Sequence, residues 1–201
     1  MRKDSLAFAL SGTVFGLLVG WMIGAQQVRA PAAPAAAPTA QAAPAQNAPP
    51  PLDQARAAAL EQQAKAEPRN AAVRIDLGNV YLDAERFADA EPWYEAALEI
   101  DPKNANVTTD LGIVYFYQRQ FDRALAMFDR ALALDPKHVK ALLNQGIVRS
   151  MGKQDLAGAA ESWEKVVSLA PDSEDARLAR MGLEGIRSVQ QPAPAGAPAT
   201  Q

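Results

Sequence analysis

Glycine recurs in this chain at one fixed interval, at Gly78, Gly112 and Gly146, and the residues around it recur with it. A constant period, here about 34 residues, means that one supersecondary unit has been copied and stacked, because a lone unit cannot bury its apolar face. Aligned on the glycines, the first copy reads Leu77-Gly78-x-x-Tyr81, then Ala90-x-x-x-Tyr94-x-x-Ala97 and Pro102. The second reads Leu111-Gly112-x-x-Tyr115, Ala124-x-x-x-Phe128-x-x-Ala131 and Pro136. Small residues at these places let two helices approach closely, the aromatics four residues further on fill the adjacent space, and the prolines end each unit. The third copy is one residue longer, residues 139–173 against 71–104 and 105–138. It keeps Leu142, Gly146, Ala159, Trp163 and Pro171, but has Gln145 for the leucine and Arg149 for the tyrosine. The extra residue is expected in the inter-helix turn, 151–155, where insertions cost little.

This pattern resembles the tetratricopeptide repeat (TPR), a helix–turn–helix with this same period. The first two copies match seven of the eight signature positions and depart only at the early Trp or Leu site, held here by Arg74 and Thr108; the third resembles a TPR that has drifted. The resemblance implies an all-α fold, a right-handed superhelix of about three repeats with capping helices. Upstream, residues 52–66 are Ala-rich and helix-forming, and Pro68 lies one period before Pro102. Residues 52–70 are therefore expected to supply the second helix of an incomplete leading repeat, with Leu60 where Tyr94 and Phe128 stand later. Downstream, Ser173 followed by Glu174 and Asp175 reads as a helix N-terminus, and Leu178, Met181 and Ile186 mark an apolar stripe, so 174–190 is expected to cap the stack.

The amino end carries a second signal. Residues 1–5 include Arg2 and Lys3, and residues 6–25 follow without a charge, about the ~20 residues needed to span a bilayer. A cleaved signal peptide is the competing reading, with cleavage after Ala25 or Ala30, but its apolar region is typically only about 7–15 residues. Arg2 and Lys3 before the span, against Arg29 after it, place the amino end in the cytoplasm. The repeats are then expected on the extracytoplasmic side of the inner membrane, which is the periplasm if the cell is a Gram-negative bacterium. Gly12, Gly16, Gly20 and Gly24 follow at four-residue steps inside this span. That small-xxx-small pattern allows homodimerisation or docking on another membrane helix, although glycine is also simply common in membrane helices. Residues 26–51 are almost wholly Ala, Pro and Gln, a spacer whose extended reach at ~3.1 Å per residue approaches ~80 Å. The tail, 191–201, shares that composition and is expected to be disordered.

Composition narrows the function to binding. Residues 52–190 carry 17 basic and 22 acidic residues with no basic stripe, which argues against nucleic acid. There is no cysteine and one histidine, His138, in the turn after Pro136. Cysteine nucleophiles and multi-His metal sites are thereby excluded, no carboxylate pair or phosphate loop is evident, and no cofactor or enzymatic activity is expected. His138 reads as a solvated turn residue.

In TPR proteins the first helix of each unit lines a concave groove, and the resemblance implies which residues face it: those three before, and one, four and five after, the signature glycine. Here these are Ile75, Asn79, Leu82 and Asp83; Thr109, Ile113, Phe116 and Tyr117; and Leu143, Ile147, Ser150 and Met151. Of the lysine, arginine and asparagine clamp with which some TPR domains hold a terminal carboxylate, only Asn79 is matched. An extended or helical apolar segment of another protein is the expected ligand, with Phe116 and Tyr117 as rigid anchors, unless the cap at 178–186 covers the groove. Anchor plus repeats together resemble, in architecture only, the TPR subunits of bacterial cytochrome c maturation and the anchored TPR proteins that accompany translocon-associated periplasmic chaperones. An adaptor and a self-assembling organiser of the membrane both fit that architecture.

Overall fold

The structure is a computed structural model and describes residues 49–190. The expected membrane segment with its glycines, the spacer up to residue 48, and the tail from 191 lie outside the described residues. No helix among the described residues is long and apolar enough to cross a membrane.

Among the described residues eight α-helices follow one another: α1 Gln54–Ala66, α2 Ala71–Asp83, α3 Phe87–Ile100, α4 Ala105–Tyr117, α5 Phe121–Leu134, α6 Val139–Ile147, α7 Leu156–Leu169 and α8 Glu174–Gln190. A π-helical turn, Val148–Gly152, continues α6. Each first helix starts at a polar side chain that occupies an otherwise unpaired backbone N–H. Asn70 Oδ1 accepts from the Ala72 amide at 3.0 Å, Asn104 Oδ1 from Val107 at 3.1 Å, and Ser173 Oγ from Ala176 at 3.0 Å. His138 takes the same place before α6, its Nδ1 accepting from the Ala141 amide at 3.2 Å while Nε2 lies 2.8 Å from Asn106 Oδ1. The lone histidine is thus a helix cap, in register with Asn70 and Asn104, rather than a free turn residue.

Each helix packs on the next, and the first helices also meet directly, α4 against α6 and α6 against α8. The core follows from the signature residues. Leu77, Ala90, Tyr94, Leu111, Ala124, Phe128, Ala159 and Trp163 are all buried. A Cβ placed on Gly78 would stand 2.7 Å from the Tyr94 ring, and one on Gly112 2.6 Å from Phe128. On Gly146 it would collide with the Trp163 indole. The aromatic of each second helix therefore lies flat on the glycine of the first, and excluding that ring from water contributes about 2–3 kcal/mol. Tyr81 is only half-buried, and Pro102, Pro136 and Pro171 are exposed beyond the helix ends.

The extra residue of the third copy is not in the inter-helix turn. All three turns, 84–86, 118–120 and 153–155, have three residues, and their central residues Glu85, Arg119 and Gln154 sit at φ 55°, 62° and 56°. The turn closes when the Arg86 amide donates to the Tyr81 carbonyl, Gln120 to Tyr115 and Asp155 to Arg149, each at 2.8 Å. The first two bonds span five residues and the third spans six. A left-handed residue fixes the turn geometry tightly, whereas a helix absorbs one residue as a π turn at modest cost; the insertion therefore went into the helix.

Candidate peptide-binding face

The groove residues expected from the repeat phase divide into two groups. Ile75, Asn79 and Ile113 are half-buried, Asp83 is exposed, Ser150 is half-buried and Met151 is exposed. Leu82, Thr109, Leu143 and Ile147 are buried, and the expectation that they present surface to a ligand is corrected. Thr109 turns its hydroxyl back to the Ala105 carbonyl at 2.8 Å. Leu143 and Ile147 lie on α6, which packs against α4, α7 and α8; the Leu143 carbonyl accepts from the Trp163 indole N–H at 3.1 Å.

Phe116 and Tyr117 are not free anchors either. Tyr117 stacks on Phe87 with ring centroids 4.3 Å apart and planes 4° apart, Phe116 meets Tyr117 edge-on at 5.3 Å, and Phe116 leans on Phe121 at 6.1 Å. The four rings join the end of α4 to the starts of α3 and α5, contacts worth about 0.5–1.5 kcal/mol per pair beyond area. Burial pushes the Tyr117 phenol up, with Glu85 adding to the rise. These rings stiffen the turn edge of the stack.

What stays accessible on the first helices is a mixture of aliphatic and charged groups. The Tyr94 hydroxyl, buried with its ring, donates to Asn79 Oδ1 at 2.7 Å and thereby sets the half-buried Asn79 amide from beneath. Lys140 on α6 reaches Asp110 on α4 at 2.7 Å. Asp83 on α2 and Asp175 on α8 take no part in an ion pair or side-chain hydrogen bond among the described residues. Burial pushes the Asp83 carboxyl up against the pull of Arg56 and Lys140, with Asp110 reinforcing the rise. Burial does the same to Asp175, opposed by Lys140 and reinforced by Glu174. Among the described residues no group of three His, Cys, Asp or Glu is placed to hold a metal.

The periodicity also holds a layer of contacts that the signature alone does not reveal. Tyr81 donates to Glu61 at 3.0 Å, and one period later Tyr115 donates to Glu95 at 2.8 Å. Arg123 lies over the Tyr115 ring at 3.8 Å and reaches Glu91 at 3.2 Å and Glu95 at 3.4 Å. That Glu61 and Glu95 are themselves one period apart is a sequence signal for these cross-repeat pairs.

Sequence and structure comparisons converge on this arrangement. Two family models described as tetratricopeptide repeat match residues 71–137 and 109–174, together just over half of the chain. The chain belongs to the tetratricopeptide repeat family. No curated protein sequence matches it. Among solved structures, the crystal structure of MamA is 26% identical, covers 66% of this chain and 78% of its own, and superposes with a TM-score of 0.56. The first TPR of Spaghetti (RPAP3), bound to the HSP90 peptide SRMEEVD, is 27% identical over 60% of this chain and 92% of its own, with a TM-score of 0.56. A tetratricopeptide repeat protein from Parabacteroides merdae ATCC 43184, 24% identical over 66% of this chain and 53% of its own, has a TM-score of 0.58 and shares the fold. A TPR stack of this kind is a protein–protein interaction module.

Proposed function

We propose that this protein is an adaptor of the cell envelope: residues 6–25 anchor it in the inner membrane, residues 26–51 act as the spacer, and the TPR body outside the membrane holds a segment of another polypeptide. The observation that carries the reading is the run of first helices from α2 to α8, on which Ile75 and Ile113 remain half-buried rather than sealed in the core. Partly accessible aliphatic side chains flanked by polar ones are what an extended or helical peptide packs against. The peptide-bound RPAP3 domain supports the same use of the fold. An envelope partner such as an apocytochrome or a client of a periplasmic chaperone suits the architecture.

Crosslinking and mass spectrometry on native membranes tests the adaptor reading. The expected result is a defined envelope protein crosslinked to the body, lost in Ile75→Glu/Ile113→Glu. Phe116 and Tyr117 are poor controls because their rings hold the turn edge together. Crosslinks only between copies of the chain, together with concentration-dependent polymers in light scattering, would replace the adaptor by a self-assembling organiser. Extraction by alkaline carbonate would remove the anchor from the reading. Pairing through the glycine stripe predicts loss of self-association in Gly16→Ile/Gly20→Ile, and an unchanged membrane two-hybrid signal rules that pairing out.

A further inference from the structure

We propose that residues 191–201 of this same chain lie along the turn edge of the stack in polyproline II geometry, covering its partly exposed rings. Each first helix runs from its cap to that edge. The same count from the caps Asn70, Asn104, His138 and Ser173 brings Asp83, Tyr117, Met151 and Ile186 to one level. Helix α8 packs on α6 and continues past that level to Gln190, so residue 191 leaves the body at the turn edge. Exposed apolar surface begins there, with Val189 66% exposed on the last turn of α8 and Met151 46% exposed at the end of the π turn. Gly152, next to Met151, lies against Phe121, where a Cβ would stand 2.6 Å from the ring. Phe121, Phe116, Tyr117 and Phe87 continue the run, each half-buried, with successive centroids 6.1, 5.3 and 4.3 Å apart. The other two large apolar side chains exposed among the described residues, Leu134 and Leu169, end second helices on the opposite edge.

The segment has the chemistry that such a run accepts. Residues 191–201 hold Pro192, Pro194 and Pro198 and no charged side chain. Polyproline II has three residues per turn, so Pro192 and Pro198 fall on one side, two turns and ~19 Å apart, with Ala195 between them. Prolines held in this geometry pack against aromatic side chains at little ordering cost. At ~3.1 Å per residue the segment reaches ~34 Å, enough to cross the ends of α6 and α4 at the ~8–10 Å spacing of packed helices. Charged groups on this edge pair among themselves, Arg86 with Asp89 and Lys153 with Asp122, which suits an uncharged segment. Being tethered, the segment is present at an effective concentration on the order of millimolar, so a weak contact is still populated. Rings covered in this way are withheld from a neighbouring copy, and the segment therefore acts against edge-to-edge association.

The test is site-specific photocrosslinking of the full chain in a neutral detergent, read by mass spectrometry. The chain has no cysteine, so Ala193→Cys or Thr200→Cys carries a single benzophenone label. The label at 193 is expected to react within its own chain at 151–152, and the label at 200 further along the edge, at Phe87 and 116–117. Adding Pro192→Ser/Pro198→Ser, which leaves the residues of the body unchanged, is expected to cut the yield from the label at 200 at least about fivefold. The melting temperature is expected to stay the same. An unchanged yield in the serine variant would mean random collision of a tethered segment and overturns the proposal. Crosslinks spread over the whole body, or gathered on Ile75 and Ile113, overturn it as well. Crosslinks between copies would give the edge to a second molecule instead of to residues 191–201.

Discussion

The second and third repeats occupy equivalent places in the stack yet are held together by different chemistry. In the second, Leu111 is buried, Phe128 lies on Gly112, and Tyr115 crosses to Glu95 of the preceding repeat at 2.8 Å. In the third, Arg149 has replaced the tyrosine, and Asp129, one period after Glu95, takes a hydrogen bond from Gln145 at 2.7 Å instead. Gln145, buried where a leucine belongs, accepts from Ser162 Oγ at 2.8 Å. Arg149 turns inward to the Gly158 carbonyl at 3.1 Å and Ser162 Oγ at 3.3 Å. Every polar group brought in by the drift has found a partner, and among the described residues no buried side-chain nitrogen or oxygen lacks one. The repeat thus keeps the places where contacts are made more strictly than the residues that make them.

The largest effects should come from the aromatic of each second helix. Phe128→Ala removes a fully buried ring and leaves a cavity over Gly112, a loss of about 3–5 kcal/mol. Trp163→Ala should cost at least as much. Its indole is enclosed by Gly146 on one side and by Gly182 of α8 on the other, where a Cβ would stand 2.5 Å away, and it also donates to the Leu143 carbonyl. Chemical denaturation measures both. A Trp163→Ala loss below that of Phe128→Ala would mean that α8 does not seal the third repeat as its packing indicates.

The polar set of the third repeat offers an intermediate effect. Gln145→Leu restores the residue type of the first two copies, yet it strips Ser162 and Asp129 of a partner each, so it should destabilise by about 1–2 kcal/mol rather than stabilise. Adding Ser162→Ala should recover part of that loss, giving a coupling between the two sites of at least about 0.5 kcal/mol. Additive effects would show that the hydrogen bond between them contributes nothing.

What can be read from the sequence follows the same division. Period and glycine–aromatic contact are legible because a small residue and a ring recur at one spacing, and the terminal cap because Ser173, Glu174 and Asp175 mark a helix start ahead of the stripe Leu178, Met181 and Ile186. The groove is legible only in part: helical phase says that Thr109, Leu143 and Ile147 lie on the first helix, but not that a threonine hydroxyl turns to its own backbone or that α8 packs on α6. Phe116 and Tyr117 mislead for a similar reason: Phe87 and Phe121 recur one period apart at the starts of the second helices, but that spacing does not say that they receive the rings at the end of α4. The insertion is visible in the sequence but its place is not, since loops are the usual site of extra residues and a π turn leaves no mark in composition.

A smaller effect tests why the three turns agree although the third repeat is longer. Glu85, Arg119 and Gln154 hold a left-handed conformation that costs a residue with a Cβ about 1–2 kcal/mol. Glycine at each position should therefore raise stability by about 0.5–1 kcal/mol, somewhat less than the strain removed because glycine loses more chain entropy on folding. The gain should be equal in all three if the π turn leaves the third turn unstrained. A larger gain at Gln154, read from thermal melts, would show that the extra residue still loads the turn it was kept out of.

The smallest expected effect separates the first repeat from the other two at one place, where Asp83, Tyr117 and Met151 stand at the end of the first helix. Tyr117 is stacked and Met151 exposed, whereas Asp83 is a carboxyl that burial pushes above its ordinary value of 3.8. A raised carboxyl favours the protonated fold, so its contribution is fully present below about pH 3.8 and is lost as pH rises through the folded value. Asp83→Asn should then raise the melting temperature at pH 7, and the gap to the unmodified chain should close as pH falls toward 3.8. Because Asp83 is exposed, solvent screening keeps the gap to at most about 1–2 °C. A lower melting temperature for Asp83→Asn at neutral pH would mean that Arg56 and Lys140 together stabilise the carboxylate more than burial opposes it.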